Sequence, residues 1–224
     1  MKLLDLYCGA GGAAMGYFRA GFTEIVGVDI QPQLRYPFSF IQGDALNPAV
    51  DISRFDFIHA SPPCQKHTAL KTVWNYRDNH TDLIPQTREM LKATGKPYVI
   101  ENVPGAPLLN PFKLCGSAFG LGVEVYDGWR DLQRHRLFES NVNLLSPPCN
   151  HHANGTIGIY GDHARDRRRK PGVRDRGIDF PDSDKLALGK AAMQMPWVGK
   201  WRELSEAIPP AYTEWIGKHL LTLI

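Results

Sequence analysis

Short apolar runs alternate with helix-like segments through the first two thirds of the chain. The runs predict buried strands over residues 3–8, 24–29, 38–44, 55–60 and 97–102. Helical patterns over residues 13–20 and 81–93 lie between them, and Gly21 ends the first of these helices. This alternation predicts an α/β fold, with a mostly parallel sheet covered by helices on both faces.

The pattern changes after Phe138. Residues 146–184 are rich in Pro, Gly, Asn, His and Arg, with one brief strand pattern at residues 156–160. Helical patterns return from residue 185, and a Pro-Pro pair separates predicted helices over 201–207 and 211–221. These changes predict a main domain over residues 1–142, a small, irregular, basic insertion over 143–188, and C-terminal helices over 189–224 that return to the main domain.

Composition is ordinary for a globular protein, and charge is concentrated in one place. Of 224 residues, 43% are hydrophobic and 22% charged, with a net charge of +3. No apolar run predicts a signal peptide or a membrane span, and four cysteines are too few for a disulfide scaffold, so we expect a reducing cytoplasm and no membrane partner. The cationic tract at residues 163–176 is either a solvated loop or a phosphate-binding surface formed by Arg165, Arg167, Arg168, Arg169 and Lys170.

A cysteine stands directly after a predicted strand. The strand at residues 55–60 runs into Ser61-Pro62-Pro63-Cys64-Gln65, where the two prolines must end the ladder. Cys64 would therefore lie at the rim of the sheet, where α/β proteins bind ligands. A reactive thiol is one interpretation, and a small buried hydrophobe is the other.

A glycine loop and two acids predict a cofactor at the same rim. Gly9, Gly11 and Gly12 follow the first strand, and Asp29 and Asp44 end the second and third. Such glycines admit a ligand close to the backbone, Asp29 suits a ribose hydroxyl, and Asp44 suits an adenine amino group. The loop lacks the last glycine of a dinucleotide fingerprint and a P-loop lysine, which makes NAD a weaker choice and argues against a nucleoside triphosphate.

Five motifs in order resemble the DNA (cytosine-5)-methyltransferase family. They are Asp5 to Gly12 (DLYCGAGG), Pro62 to Gln65 (PPCQ), Glu101 to Val103 (ENV), Arg134 to Arg136 (RHR) and Glu206 to Ala211 (EAIPPA). The resemblance covers about the first 140 residues and the last 30. The small insertion looks more like that of phage-encoded members, and Ser205 and Glu206 stand where the family's last motif carries Gly-Asn.

The resemblance implies transfer of a methyl group to carbon 5 of cytosine in duplex DNA. Cys64 would add to carbon 6 as a thiolate, with its pKa lowered by a positive environment, and the target base would be flipped out of the helix. Glu101 would contact N3 and the amino group, and Arg136 would bind O2. Asn102 would position Glu101 and the cysteine loop, and Arg134 would support the pocket or a phosphate.

The resemblance also implies S-adenosylmethionine as cofactor in a Rossmann-like methyltransferase fold. Tyr7 would pack near the adenosine, Gly9, Gly11 and Gly12 would admit the methionine portion, and Asp29 would hold the ribose. The adenine side would be formed by Ile30, Asp44 and Ala45. Pro62 would lie on the cofactor side of the active loop, and Gln65 on the DNA side.

Other functions and ligands remain open from the sequence. The substrate could be tRNA instead of DNA, or the protein could be a non-catalytic DNA-binding protein that keeps the fold; an NAD enzyme is the weakest alternative. Cys115, Cys149, His151 and His152 are candidate zinc ligands, but Cys115 is distant in sequence and lacks a paired ligand, so no metal is predicted. We expect a monomer, with a dimer as the alternative.

Overall fold

The computed structural model describes residues 1–64, 66–67, 81–151, 155–167 and 177–223. Its α-helices are α1 (Gly12–Ala20), α2 (Ile84–Ala93), α3 (Asp182–Met193), α4 (Trp201–Glu206) and α5 (Pro210–Leu223). Its strands are β1 (Lys2–Leu6), β2 (Glu24–Asp29), β3 (Ser39–Gln42), β4 (Phe57–Ala60), β5 (Tyr98–Asn102), β6 (Phe112–Leu114), β7 (Gly122–Val125), β8 (Gly128–Leu132), β9 (Arg136–Ser140), β10 (Thr156–Tyr160), β11 (His163–Arg167) and β12 (Ile178–Asp179). Short 3-10 helices lie at Ile52–Arg54 and Gly116–Phe119.

The main sheet has seven strands in the order β3-β2-β1-β4-β5-β9-β6. The first five strands are parallel, and β9 runs antiparallel to both β5 and β6. The predicted α/β fold with a mostly parallel sheet is therefore confirmed, and all five predicted strands are present with small shifts at their ends. The helix predicted from residue 81 begins at Ile84, where Pro85 occupies its first turn.

Both faces of the main sheet are buried, which explains the continuous apolar runs in its strands. Leu3 and Phe57 point into a core that α1 and α5 cover, whereas Leu4 and Ile58 point into a second core that α2 covers. All four side chains are fully buried. Each contributes about 1.5–3 kcal/mol by leaving water, so the sheet is a rigid base for the loops at its edge.

A second sheet, of order β12-β11-β10-β8-β7, stands beside the first. The strand predicted at residues 156–160 is confirmed as β10. The rest of the described insertion is more regular than expected, because β11 pairs with β10 and β12 pairs with β11. β7 and β8 of the same sheet precede the predicted boundary. The buried Arg130 of β8 donates from Nε to Asp166 Oδ1 of β11 at 2.6 Å. Strands held by such polar pairs lack the apolar alternation by which strands are predicted.

The last helix, α5, returns to the main sheet, whereas α3 and α4 contact strands of the second sheet. Thr213 Oγ1 in α5 donates to the carbonyl of Ala13 in α1 at 2.8 Å, and α5 buries Tyr212 and Ile216 against the core beneath α1. The contacts of α5 are those that the predicted return to the main domain requires. Within the described part of the chain, none of the helices has the length and apolar character needed to cross a bilayer.

Candidate active site

The candidate active site lies at one edge of the main sheet, beyond the carboxyl ends of its parallel strands. The Ser61 amide donates to the Leu6 carbonyl at 3.1 Å, which sets the end of β4 beside the end of β1. β5 pairs with β4 and ends at Asn102, and antiparallel β9 begins at Arg136 next to that end. The segments carrying Cys64, Glu101 and Arg136 therefore converge at this edge.

The cysteine loop is fixed by the last residue of β5. Asn102 is buried, and its Nδ2 donates to the Pro62 carbonyl at 2.9 Å while its Oδ1 accepts from the Val103 amide at 2.9 Å. Pro62 is buried and Cys64 is half-buried. This is the contact that the predicted positioning role of Asn102 requires.

Glu101 and Arg136 form a shielded ion pair. Arg136 Nε lies 3.1 Å from Glu101 Oε1, and another guanidinium nitrogen donates to the His135 carbonyl at 2.9 Å. Burial raises the pKa of Glu101 above its ordinary value, against the lowering effect of Arg136. Glu101 therefore keeps its proton to a higher pH than a solvent-exposed glutamate does.

The environment of Cys64 differs from the expectation. Burial, followed by the charge of Glu101, raises the pKa of the Cys64 thiol, and the opposing effects of Arg136 and Arg134 are smaller. The predicted lowering of this pKa is therefore wrong, because desolvation outweighs the two arginines. Protonation of Glu101 removes the second cause, so the two groups are linked and formation of the thiolate becomes easier when Glu101 is neutral.

A buried hydrogen-bond chain leads from α1 to Glu101. Tyr17 Oη lies 3.1 Å from His59 Nδ1, and His59 Nε2 lies 3.0 Å from Ser61 Oγ. Ser61 in turn is hydrogen-bonded to Glu101, which lowers the pKa of that carboxyl. Complete burial lowers the pKa of His59 to about 3, so its ring is neutral.

The sequence did not predict this series of hydrogen bonds between Tyr17 and Glu101. The available indication was a histidine within an otherwise apolar strand, shortly before the Pro-Pro-Cys motif. A buried neutral histidine with both ring nitrogens in contact needs a fixed tautomer, and that tautomer fixes which way the Ser61 hydroxyl points.

Arg134 faces the protein interior. Its guanidinium donates to the carbonyl of Ile159 in β10, to that of Ser205 at 2.6 Å and to that of Ala207 at 2.8 Å. Burial, then the charge of Arg136, lowers its pKa to about 9. Arg134 therefore ties β10 and the end of α4 to the candidate active site. Arg134 was predicted to support either the pocket or a phosphate, and these contacts suit support of the pocket.

The acids at the ends of β2 and β3 lie next to the glycine loop. The two oxygens of Asp29 accept from the amides of Gly9 at 3.0 Å and Gln31 at 2.9 Å, and Asp44 accepts from the Leu46 amide at 2.9 Å. Each carboxylate oxygen retains a second lone pair for a ligand hydroxyl or amine. Asp44 is exposed, as is the Ile30 side chain at 65%, whereas Ala45 is buried beneath them.

The glycines of the loop do different work. Gly9 has a φ of +47° and open space where a side chain would begin, while a Cβ on Gly12 would lie 2.1 Å from the Ile208 carbonyl. Gly11 has a φ of +79° and abuts Pro37. Only Gly9 of the three thus faces space that a ligand could enter, and Gly11 and Gly12 allow the loop to pack. Tyr7 flanks the loop, and its hydroxyl lies 2.9 Å from Thr87 Oγ1.

Two of the predicted DNA-binding residues lie on β11. Arg165 Nε is 2.6 Å from Asp179 Oδ1, and the Arg167 guanidinium stacks 5.0 Å from the Tyr160 ring centre and donates to its hydroxyl. The start of the basic tract is therefore a strand of the second sheet. Gln65, Arg168, Arg169 and Lys170 lie outside the described residues.

Similarity to solved structures first defines the class of fold. The chain aligns over 100% of its length with 99% of an E. coli prophage protein described as a DNA modification methyltransferase, at a TM-score of 0.61 and 16% identity. It also aligns over 99% of its length with 98% of the Entamoeba histolytica methyltransferase EhMeth, at a TM-score of 0.53 and 11% identity. The chain therefore shares the fold of these two methyltransferase structures, in agreement with the predicted α/β fold and its mostly parallel sheet.

Sequence comparison then identifies a family that the amino-terminal half of the chain resembles. Residues 1–110 match the model of the C-5 cytosine-specific DNA methylase family. The type II methyltransferases M.NgoMIV of Neisseria gonorrhoeae and M1.HphI of Haemophilus parahaemolyticus are 30% and 28% identical over 48% and 46% of this chain. The matches span about a third of each relative, 36% and 32%. The amino-terminal half of the chain is therefore similar in sequence to the C-5 cytosine-specific DNA methylase family, in agreement with the resemblance found in its motifs.

Proposed function

We propose that the protein transfers a methyl group to carbon 5 of cytosine in duplex DNA, with S-adenosylmethionine as cofactor. One observation carries the proposal: Cys64, Glu101 and Arg136 converge from the ends of three neighbouring strands, on the sheet edge that also carries Asp29 and Asp44. The similarity of residues 1–110 to the C-5 cytosine-specific DNA methylase family supports the choice of cytosine and of carbon 5.

The proposed reaction begins at Cys64. Its thiolate forms a bond to carbon 6 of the base, and the electron pair of the C5–C6 double bond moves to carbon 5, which becomes the nucleophile that accepts the methyl group. Glu101 shares its proton with N3 as charge develops on the ring, a role that its raised pKa favours. Arg136 binds O2 and keeps the base in place through charge-assisted hydrogen bonds.

The second half of the reaction restores the enzyme. Carbon 5 loses its proton to a base, for which water is a candidate, and the electron pair left behind re-forms the C5–C6 double bond. The bond between Cys64 Sγ and carbon 6 then breaks, which returns the thiolate. Because ring atoms of paired cytosine are inaccessible in a duplex, the target nucleotide must first be flipped into the pocket.

The cofactor supplies an electrophilic methyl group on a sulfonium. The acids and the glycine loop suit its adenosine and methionine ends: Asp29 would hold the ribose, Asp44 the adenine amino group, and the exposed Ile30 would cover the ring. The open space at Gly9 supports close passage of a ligand along the loop. Arg165 and Arg167 would contact phosphates from the second sheet.

The direct test is incorporation of labelled methyl groups. The protein is incubated with labelled S-adenosylmethionine and either duplex DNA or tRNA, and the nucleic acid is digested to nucleosides. We expect 5-methylcytosine from DNA alone, and we expect Cys64→Ser to abolish it while binding of S-adenosylmethionine, measured by calorimetry, is preserved.

Two results would count against the proposal in different ways. Product from tRNA and none from DNA would move the substrate to RNA. A folded wild type that binds duplex DNA but neither binds S-adenosylmethionine nor makes 5-methylcytosine would indicate a binding protein that keeps the fold.

A further inference from the structure

Four candidate metal ligands meet around His135, which stands between Arg134 and Arg136. Cys115, His135, Cys149 and His151 each offer one ligand atom, and all four atoms lie within 4.8 Å of one another. Cys115 Sγ is 3.4 Å from His151 Nε2, and Cys149 Sγ is 3.5 Å from His135 Nε2. We propose that these residues form a structural zinc site, which we call the Cys2His2 cluster.

The distances suit a tetrahedral ion. With a Zn–S bond of about 2.3 Å and a Zn–N bond of about 2.0–2.1 Å, tetrahedral geometry places sulfur and nitrogen ligands roughly 3.5 Å apart. The two shortest sulfur–nitrogen contacts given above match this value, and all four ligand atoms lie within 4.8 Å of one another. Two thiol–imidazole hydrogen bonds would account for each pair separately, but not for the meeting of both pairs around one point.

The ligand types favour zinc over other common metals. Two thiolates and two imidazoles in a tetrahedral set are typical of structural zinc, whereas magnesium and calcium prefer oxygen ligands. Four protein ligands leave no open position for water. The cluster would therefore hold the fold together and take no part in the methyl transfer.

The position of the cluster explains what the ion would stabilise. Cys115 is buried directly after β6, His135 directly precedes β9, and Cys149 and His151 lie in the segment that joins β9 to the second sheet. His135 stands between Arg134 and Arg136, and its carbonyl accepts a hydrogen bond from Arg136. A zinc ion here would restrain Arg134 and Arg136 and would hold the segment between β9 and β10 against the main sheet.

The cluster also gives a role to a motif that the proposed reaction does not use. Ser146-Pro147-Pro148-Cys149 repeats the tetrapeptide that ends in Cys64, and its prolines stiffen the backbone before Cys149. The sequence offers Cys115, Cys149, His151 and His152 as candidates and predicts no metal. It gives no indication of His135, which directly precedes β9 and joins the cluster only in space; His152 lies outside the described residues.

Metal content tests the proposal without reference to activity. The full chain, freed of any polyhistidine tag, is measured by plasma mass spectrometry, and we expect about one zinc per chain. Cys149→Ser and His151→Gln should each lose most of the zinc, because three ligands bind it far more weakly than four. Cobalt(II) in place of zinc should give the intense visible absorption of tetrahedral cobalt thiolates.

Control variants and contrary outcomes are defined by the same measurement. Cys64→Ser and His219→Gln alter a thiol and an imidazole outside the cluster, and both should keep the full zinc content. Cys115 is buried and its replacement can prevent folding, so the exposed Cys149 carries the test. Folded wild type that stays free of zinc after dialysis against excess zinc, zinc retained in Cys149→Ser, another metal at the same stoichiometry, or a Cys115–Cys149 disulfide would each overturn the proposal.

Discussion

Two ion pairs, Glu101–Arg136 and Asp179–Arg165, join the same chemical groups in opposite environments. The first is shielded at the edge of the main sheet, whereas Asp179 and Arg165 in the second sheet keep 44% and 29% of their side-chain surface exposed. Burial raises the pKa of Glu101, while hydrogen bonds from Arg165 lower that of Asp179. Burial therefore decides whether an acid beside an arginine is held ready to protonate or held ionised.

Removal of the acid from each pair should give the largest contrast. Glu101→Gln should lower the rate of methyl transfer by about 10²–10⁴-fold, because an amide cannot share a proton with the ring nitrogen. Asp179→Asn should change it by less than about twofold, since exposed pairs contribute little. Single-turnover incorporation of labelled methyl groups measures both; equal losses in the two variants would contradict the proposed role of Glu101.

The arginines extend the contrast to stability. Arg134→Gln should lower the free energy of unfolding by about 3–5 kcal/mol, because the carbonyls of Ile159, Ser205 and Ala207 lose buried donors. Arg167→Gln, on the surface, should stay within about 0.5 kcal/mol of wild type. Urea denaturation followed by circular dichroism measures both, and a mild effect at Arg134 would mean that water replaces its hydrogen bonds.

The pH dependence of stability should have opposite signs for the two acids. The raised folded pKa of Glu101 makes wild type lose stability as pH rises from 4.5, the ordinary value, through the folded value, and Glu101→Gln should abolish that loss. Asp179 stabilises the fold above its ordinary pKa of 3.8 and loses this effect as pH falls through its lowered folded pKa.

Denaturation in urea at a series of pH values separates the two acids. As pH rises from 4.5 through the folded pKa of Glu101, the free energy of unfolding of wild type should fall relative to that of Glu101→Gln. The difference for Asp179→Asn should shrink toward zero below pH 3.8. A flat difference for Glu101→Gln across that range would show that its folded pKa is not raised.

The smallest contrast lies within β11. Arg167→Ala should reduce the slope of log binding constant against log salt by about 0.9, the release expected for one phosphate contact on duplex DNA. Arg165→Ala should reduce it by less, because Asp179 already neutralises that charge. Fluorescence anisotropy over a salt series measures both slopes, and identical slopes for both variants and wild type would remove β11 from the DNA interface.

The parallel strands and the candidate site residues could both be predicted from the sequence, because the site residues stand where the apolar runs of the strands end. A strand buried on both faces is a continuous apolar run, and the functional side chain follows where the run stops, as with Asp29, Cys64 and Glu101. In the second sheet, β10 gave a brief strand pattern but β8 did not: β8 buries the charged Arg130 and Asp131, and Arg130 pairs with Asp166, which follows 36 residues later. His59 and His135 were missed for a related reason, since their partners are adjacent only in space.

The packing of α5 on α1 has a consequence for synthesis of the chain. Gly12 of the glycine loop packs against the Ile208 carbonyl, and the Ala13 carbonyl in α1 accepts a hydrogen bond from Thr213, which lies 200 positions later. On the ribosome, β1 and α1 therefore emerge long before the segment that covers them, so the nascent amino-terminal segment exposes apolar surface until α5 has been made. The glycine loop is thus made early in synthesis but gains its full packing only once α5 has been added.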